Sequence, residues 1–453
     1  MSSGLSNTSA DETRVRAACV QYMCSQAMRD LLELACAAFG VQLAQFSWDK
    51  PHMRPGAGIS VGYTISDRQG KEHYIVASTE RISSTYVQDN SETCYQIADP
   101  PSPFISPVTL WLFPHDPLLP ALSRAVDDQY IADVLGLPGL TSRVVVYRPT
   151  RRAVVKYHVH DRAYAYGKVV QKRHAQALIR RVDAMTSGEI DTAILAFAAS
   201  DGLIVTRSLS GYPLSHDIAY RPDVACERIG ELERLLAAMP ATIAEFDVYP
   251  SWSKRITQYA RNARAYMPEW ATAIDVIADS VSRHVDTVCA PSVPTHGDFF
   301  EANVFVQDDG RLAMIDLDHI GPGQRNDDWA CLLAHVSVLP FLTENRWVVA
   351  DPQEPYRDEV ELLNPGGLRC SYYPQAERVL RSWCAYLEKR VDGRDLYLRA
   401  AAVTISIASN SDVAHAPREA RARMRRAMWW YECARHGRVV PVTPECFIDI
   451  API

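Results

Sequence analysis

Asp298 and Asn303 stand five positions apart in "THGDFFEANVFV", residues 295–306, and a second acid, Asp316, closes the later run "LAMID". Between them, "VFV" and "LAMI" flank "QDDGR", whose Asp-Gly step suits a tight hairpin turn. A hairpin there would bring Asp316 back beside Asn303 and leave Asp298 in the loop just before the first strand. Asn303 and Asp316 then offer two hard oxygen donors side by side, suited to Mg²⁺. Asp298 supplies a third oxygen within reach of a reacting hydroxyl. An Asp or Asn alone more often caps a turn. Together with the hairpin, the three residues make the layout of phosphoryl transfer. Asp298 accepts or orients the acceptor proton, while Asn303 and Asp316 hold Mg²⁺ on the phosphates.

The elements that must position these residues fall into three stretches, expected as domains 1–135, 136–210 and 211–453. The first opens with a helical pattern over about 12–40, ended by Gly40. Strand-like runs "ISVGYTI", "EHYIVAST" and "VTLWLF" follow. The second reads as a small sheet with one helix. "SRVVVY", "RAVVKYHV" and "YAYGKVV" are successive strands, a helix follows near 171–186, and "GLIVTRSL" is a further strand. Beyond about 222 the pattern is mostly helical, apart from the island at 295–316. The stretch 341–375, rich in Pro, Gly and Tyr, reads as a long connection.

At 453 residues the chain is long enough for two or three cores. A net charge of −7 gives no footprint for nucleic acid or an anionic membrane. The Arg stripe of "REARARMRRAMWWYE" is accordingly read as a solvated and partly buried helix. No apolar run approaches the roughly 18 residues needed to cross a bilayer. The N-terminus "MSSGLSNTSADETRVR" lacks an apolar signal core and reads as a frayed polar tail of a cytoplasmic protein. The eleven cysteines include no C-x-x-C pair and read as reduced thiols.

"HGDFFEANV", "MIDLDHIGPG" and "DDWACLLAH" resemble the aminoglycoside phosphotransferase and choline kinase superfamily. The resemblance spans roughly residues 140–435. It implies an α+β, bilobal protein-kinase-like fold, with a small mostly antiparallel β lobe and a large helical lobe. The N-terminal third would be an extra domain. It also implies Asp298 as the catalytic base, with Asn303 in the same loop. Asn303 and Asp316 are implied as Mg²⁺ ligands, Asp328 as a buttress, and His296 as a structural member of the loop. A kinase-like site needs a strand lysine on the α/β-phosphates. Lys168 in "YAYGKVV" is the candidate, with Lys156 its competitor. The strand "GLIVTRSLSG" resembles the hinge whose backbone reads adenine, which puts that contact at Thr206, Arg207, Ser208 and Leu209.

Two features depart from the family pattern. The connection between the first two strands of the small sheet is "RPTRR" (Arg148–Arg152), not a Gly-rich loop. The helix after Lys168 lacks the expected glutamate, offering His174 and Gln176 early and Asp183 late, so a neutral or water-mediated partner is expected for Lys168.

The expectation is an ATP- and Mg²⁺-dependent kinase, GTP not being excluded, acting on a hydroxyl of a sugar-like metabolite or antibiotic. Antibiotic resistance is one biological role within that class. A maltokinase-like sugar kinase and a nucleotide-binding pseudokinase are the alternatives. Fold analogy does not choose among acceptors, and the oligomeric state is open. Residues 341–453 hold 15 Asp plus Glu against 16 Lys plus Arg, no acidic surplus for a polycation. Tyr372, Tyr373, Trp383, Trp429 and Trp430 could stack on a ring, although core packing suits most of them better. Glu301 and Asp318 could hold one amine. A neutral or singly charged polyhydroxylated acceptor follows.

Overall fold

The computed structural model describes residues 5–53, 58–104, 106–160, 162–186, 188, 190–288, 291–342, 357–365, 370, 372–409 and 417–447. The chain divides into two compact units, residues 1–180 with 194–208, and residues 181–193 with 209–453. Long helices together with antiparallel sheets make it an α+β protein, as expected.

The first unit holds two sheets. Strands Leu43–Trp48, Ile59–Asp67, Glu72–Ser78, Val108–Leu112 and Cys94–Ile97 pair in that order, with the short strand His52–Met53 beside the second. Their inward residues, Val61, Tyr63, Ile65, Ile75 and Leu110, pack on Met28, Leu31, Leu32 and Ala35. The helical pattern expected over about 12–40 is present as two helices, Leu5–Met23 and Arg29–Ala38. A one-turn 3₁₀ segment joins them, starting where the Ser25 side chain accepts the Ala27 N–H. Ser25 competes with the backbone for hydrogen bonds and so breaks the run. The polar N-terminus, read as frayed, is helical from Leu5.

The second sheet runs Leu195–Ala198, Leu203–Arg207, Arg162–Val170, Arg152–Val159, Thr141–Arg148, with every adjacent pair antiparallel. Period-two alternation sorts its faces. Ala153, Val155, Tyr157, Ala165 and Val169 are buried against Leu122, Ile131 and Leu140, whereas Val154, Lys156, Tyr166, Lys168 and Thr206 lie on the opposite, half-buried face.

The second unit is largely helical. Helix Gly393–Ser409 is buried along nearly its whole length and packs against Ile256–Tyr266, Ala271–Thr287, Arg325–Val338 and Pro417–His436. The basic stripe near the C-terminus is solvated on one side and buried on the other, as expected: Arg418 and Arg421 are exposed, whereas Arg423 and Arg426 are buried. Arg426 is fully buried against Glu377 at 3.1 Å, beside Trp429 and Trp430. Most of 341–375 lies outside the described residues, although 357–363 forms a helix. The ten described cysteines carry free thiols. No helix among the described residues is long and apolar enough to cross a membrane.

Candidate active site

A two-stranded ribbon and the central hairpin of a four-stranded sheet, whose outer strands are Asp191–Thr192 and Tyr212–Pro213, bracket the residues expected to do chemistry. Val293–Thr295 pairs with Gly321–Gly323, and Val304–Val306 pairs with Leu312–Met314 as the expected hairpin. Two loops run between the ribbons. The first, residues 296–303, carries Asp298 and ends in Asn303. The second, residues 315–320, carries Asp316. Gly310, at φ +85°, makes the hairpin turn that an L side chain would strain. The Ile315 N–H donates to the Asn303 carbonyl at 3.0 Å, so Asp316 follows directly on the residue opposite Asn303.

The first loop is tied down at almost every position. Fully buried Asp328 accepts the N–H of His296 at 3.2 Å and of Gly297 at 2.9 Å, the buttress that the resemblance implies. Arg325 faces the same carboxylate at 3.1 Å. Burial pushes the Asp328 carboxyl up, and Arg325 partly offsets this. Gly297 has φ +76°, and a Cβ there would come to 2.5 Å from the His319 carbonyl, so only glycine fits. Buried His296 bonds the Ile315 carbonyl through Nε2 at 2.9 Å. A carbonyl only accepts, which assigns the proton to Nε2 and makes His296 a strut between the two loops.

Asp298 and Asp316 are half-buried and Asn303 is buried. The Asn303 Nδ2 donates to the Asp298 carbonyl at 2.9 Å, which leaves its oxygen as the end able to face a cation. Asp316 sits in the left-handed region, φ +58° and ψ +60°. A non-glycine residue there costs about 1–3 kcal/mol, a conformation that persists when the surroundings over-determine it. An amide oxygen and a carboxylate are hard donors that fit Mg²⁺. Among the described residues no group of three or more His, Cys, Asp or Glu forms a closed metal cage.

Glu301, in the same loop, is 4% exposed, and its Oε2 has no hydrogen-bond partner. Burial, and next the charge of Asp298, raise its carboxyl from 4.5 to about 7.

In the first unit, Lys168 lies on the central strand of its sheet, opposite Val154 and Ile204. Lys156 shares that face and holds its ammonium 5.8 Å from the Tyr166 ring centroid. Thr206 pairs with Tyr166 on one side and Leu195 on the other. The Arg207 N–H goes to Ile194 at 2.8 Å and the Ser208 N–H to Tyr164 at 2.8 Å, so two of the expected hinge donors are spent within the sheet. Leu209 opens the second unit. The glycine-free turn is anchored by a residue that the sequence did not single out. Buried Asp116 accepts the Thr150 N–H at 2.7 Å and the Tyr147 hydroxyl at 2.8 Å, holding Thr150 at φ +65°.

Sequence reasoning also missed a buried network behind the first loop. Arg399 bonds Asp327 at 2.8 Å and Asp395 at 2.9 Å. Ser253 donates to Asp327 at 2.5 Å, and Asn326 to Asp395 at 2.7 Å. Trp252 donates its indole N–H to the Gly297 carbonyl at 3.1 Å. The neighbouring acids Asp327 and Asp328 were a signal for this network, whereas nothing local pointed to Trp252 or Arg399. The aromatics considered for stacking on an acceptor are spent on the core: Tyr372, Tyr373, Trp383, Trp429 and Trp430 are all buried.

Residues 189–363 match the phosphotransferase enzyme family. The matched segment contains both loops, the hairpin and the Asp328 helix, so the resemblance carried by "HGDFFEANV" and "MIDLDHIGPG" is borne out over the site. No curated protein matches the chain. Among solved structures, a thermostable mutant of aminoglycoside phosphotransferase APH(4)-Ia in its apo form is similar at 14% identity. That likeness covers 68% of this chain and 99% of that one, with a TM-score of 0.43. A glucosamine kinase is similar at 14% identity over 86% of this chain and 95% of that one, TM-score 0.42. An ethanolamine kinase from Plasmodium vivax is similar at 13% identity over 68% and 88%, TM-score 0.40.

Proposed function

We propose that this protein is an ATP- and Mg²⁺-dependent kinase that phosphorylates a hydroxyl group of a small, sugar-like molecule, a metabolite or an antibiotic. The observation that carries the reading is the two-ribbon frame, which sets Asp298, Asn303 and Asp316 on adjoining loops. Asp298 takes the acceptor's proton as the hydroxyl oxygen attacks the terminal phosphorus, whose bond to the bridging oxygen breaks so that ADP leaves. Loop rigidity supports that role, because a base must be held at hydrogen-bonding distance. The Asn303 oxygen and the Asp316 carboxylate hold Mg²⁺, which when bound would neutralise phosphate charge. Lys168 takes the phosphates from the half-buried face of its sheet, a face that it shares with the competing candidate Lys156. Thr206 to Leu209 receive the adenine. Since the Arg207 and Ser208 N–H groups serve the sheet, their carbonyls and the backbone past Ser208 do the reading.

The test is a screen of hydroxylated metabolites and antibiotics for a phosphorylated product by mass spectrometry, with Asp298→Ala as the control. The variant should lose turnover by about 10³-fold or more while keeping Mg²⁺-nucleotide affinity. Retention of half the wild-type turnover would remove Asp298 from the role.

One observation favours a second reading, a nucleotide-binding pseudokinase: the turn Arg148–Arg152 has no glycine. A nucleotide at 100 times its dissociation constant stabilises a fold by about 2.7 kcal/mol. Stabilisation that needs Mg²⁺ supports the kinase, and stabilisation indifferent to Mg²⁺ supports the pseudokinase.

A further inference from the structure

A small apolar cluster adjoins the proposed base. Cys331 and Ala334 on helix Arg325–Val338 and Val403 on helix Gly393–Ser409 are buried, and Trp252, Phe300 and Ile407 pack on them while staying half-buried. Phe300 is two residues past Asp298, and its ring stacks on half-buried His335 with centroids 4.3 Å apart and planes at 25°. The Cys331 Sγ lies 4.0 Å from the Asp298 Oδ1. Trp252 is bonded to the loop itself through the Gly297 carbonyl. Fully buried aromatics are ordinary core. Half-buried rings, seated on buried neighbours and fastened to the loop of the proposed base, have the make-up of a ligand wall, mostly apolar with a few fixed polar groups.

The carboxylates around the cluster are largely matched, and the Arg255 guanidinium lies 4.6 Å from the Trp252 ring centroid. Asp327 is held by Arg399 at 2.8 Å, Asp328 by Arg325 at 3.1 Å, and Glu419 by Arg423. Arg423 also donates to the Ile407 carbonyl at 3.4 Å. Burial, and next the charge of Arg423, push His335 down to about 3, so its ring is neutral at pH 7. A polyamine would need surplus carboxylates here, and most of those present already have arginine partners.

We propose that Trp252, Phe300, His335 and Ile407 form the specificity wall of the acceptor site, selecting a neutral or singly charged alcohol that carries a flat apolar ring beside the hydroxyl to be phosphorylated. This rests on the reading of Asp298 as base. The wall explains why the C-terminal aromatics are not needed for the acceptor, since the rings come from the catalytic loop and its supporting helices.

The test uses the full-length chain with saturating Mg²⁺-ADP and three probes: methyl β-D-glucopyranoside, phenyl β-D-glucopyranoside and kanamycin. Affinities are read by calorimetry. The phenyl glycoside should bind about tenfold tighter than the methyl one, the value of one stacked and buried ring. Phe300→Leu, which keeps apolar bulk, and His335→Gln should each cut that preference to about threefold or less, circular dichroism confirming the fold. Equal affinities for the two glycosides, no binding of either below about 10 mM, a preference that survives both variants, or tighter binding of kanamycin would each overturn the wall. Failure of the kinase reading looks different: no alcohol is phosphorylated, while the phenyl preference and its loss in the variants persist.

Discussion

Replacing Glu301 by Gln should flatten a pH dependence that one buried carboxyl imposes on stability. Glu301 is 4% exposed, its Oε2 has no partner, and Asp298 adds a like charge. Its carboxyl is raised from 4.5 to about 7. A folded-state value above the unfolded one means that the native chain keeps a proton that the unfolded chain has released. The contribution to stability is therefore full below pH 4.5, and it is lost as pH rises through about 7. At about 1.4 kcal/mol for each pH unit, the loss across that window is roughly 3 kcal/mol. Gln has the same shape and no proton to lose, so the variant should escape the decline. The assay is urea unfolding in metal-free buffer at half-unit steps of pH, followed by tryptophan fluorescence and far-ultraviolet circular dichroism. Subtracting variant from wild type isolates Glu301 from the other titrating groups. Wild type should lose about 3 kcal/mol relative to Glu301→Gln from acid to pH 8. A difference that stays constant within about 0.5 kcal/mol would show that the carboxyl is solvated or paired, and the reasoning would fall.

Asp316→Ala should abolish Mg²⁺-dependent stabilisation by ATP along with turnover, and unchanged Mg²⁺-ATP affinity in calorimetry would move the metal elsewhere. Gly297→Ala should destabilise by about 2 kcal/mol or more and cut turnover. The added Cβ is strained at φ +76° and meets the His319 carbonyl at 2.5 Å; wild-type thermal stability would refute this. Arg399→Met leaves Asp327 and Asp395 buried without their cation. A loss of about 3–5 kcal/mol is expected in denaturant unfolding, and a neutral or stabilising effect would count against the network as support for the loop.

The hairpin and the order of the polar residues on its loops were legible in the sequence. The hairpin follows from "VFVQDDGRLAMI", because a turn signal between two short apolar runs is a nearest-neighbour matter. The order Asp298, Asn303, Asp316 follows from that hairpin. Four strands of the small sheet and the helix behind Lys168 were equally readable, since period-two and period-3.6 patterns record which face each element buries, whereas the short edge strand Leu195–Ala198 was not.

Partnerships between residues far apart in the chain were decided only by tertiary structure. Arg399 reaches Asp327, Asp116 reaches Thr150, and Trp252 reaches Gly297. No spacing rule connects such pairs, because their separation along the chain carries no information about their distance in space. Packing also sorted two mixed readings. The Arg stripe at 418–426 reads as solvated and partly buried, and the structure exposes Arg418 and Arg421 while Arg426 and Glu377 neutralise each other inside the core. The C-terminal tryptophans lie in the core, the role that suited them better, and the half-buried rings beside Asp298 belong to Trp252 and Phe300. The sequence by itself determined the hairpin and the order of the polar residues along it. Packing alone decided which aromatic faces remain at the surface near it, because exposure is set by what the rest of the chain covers.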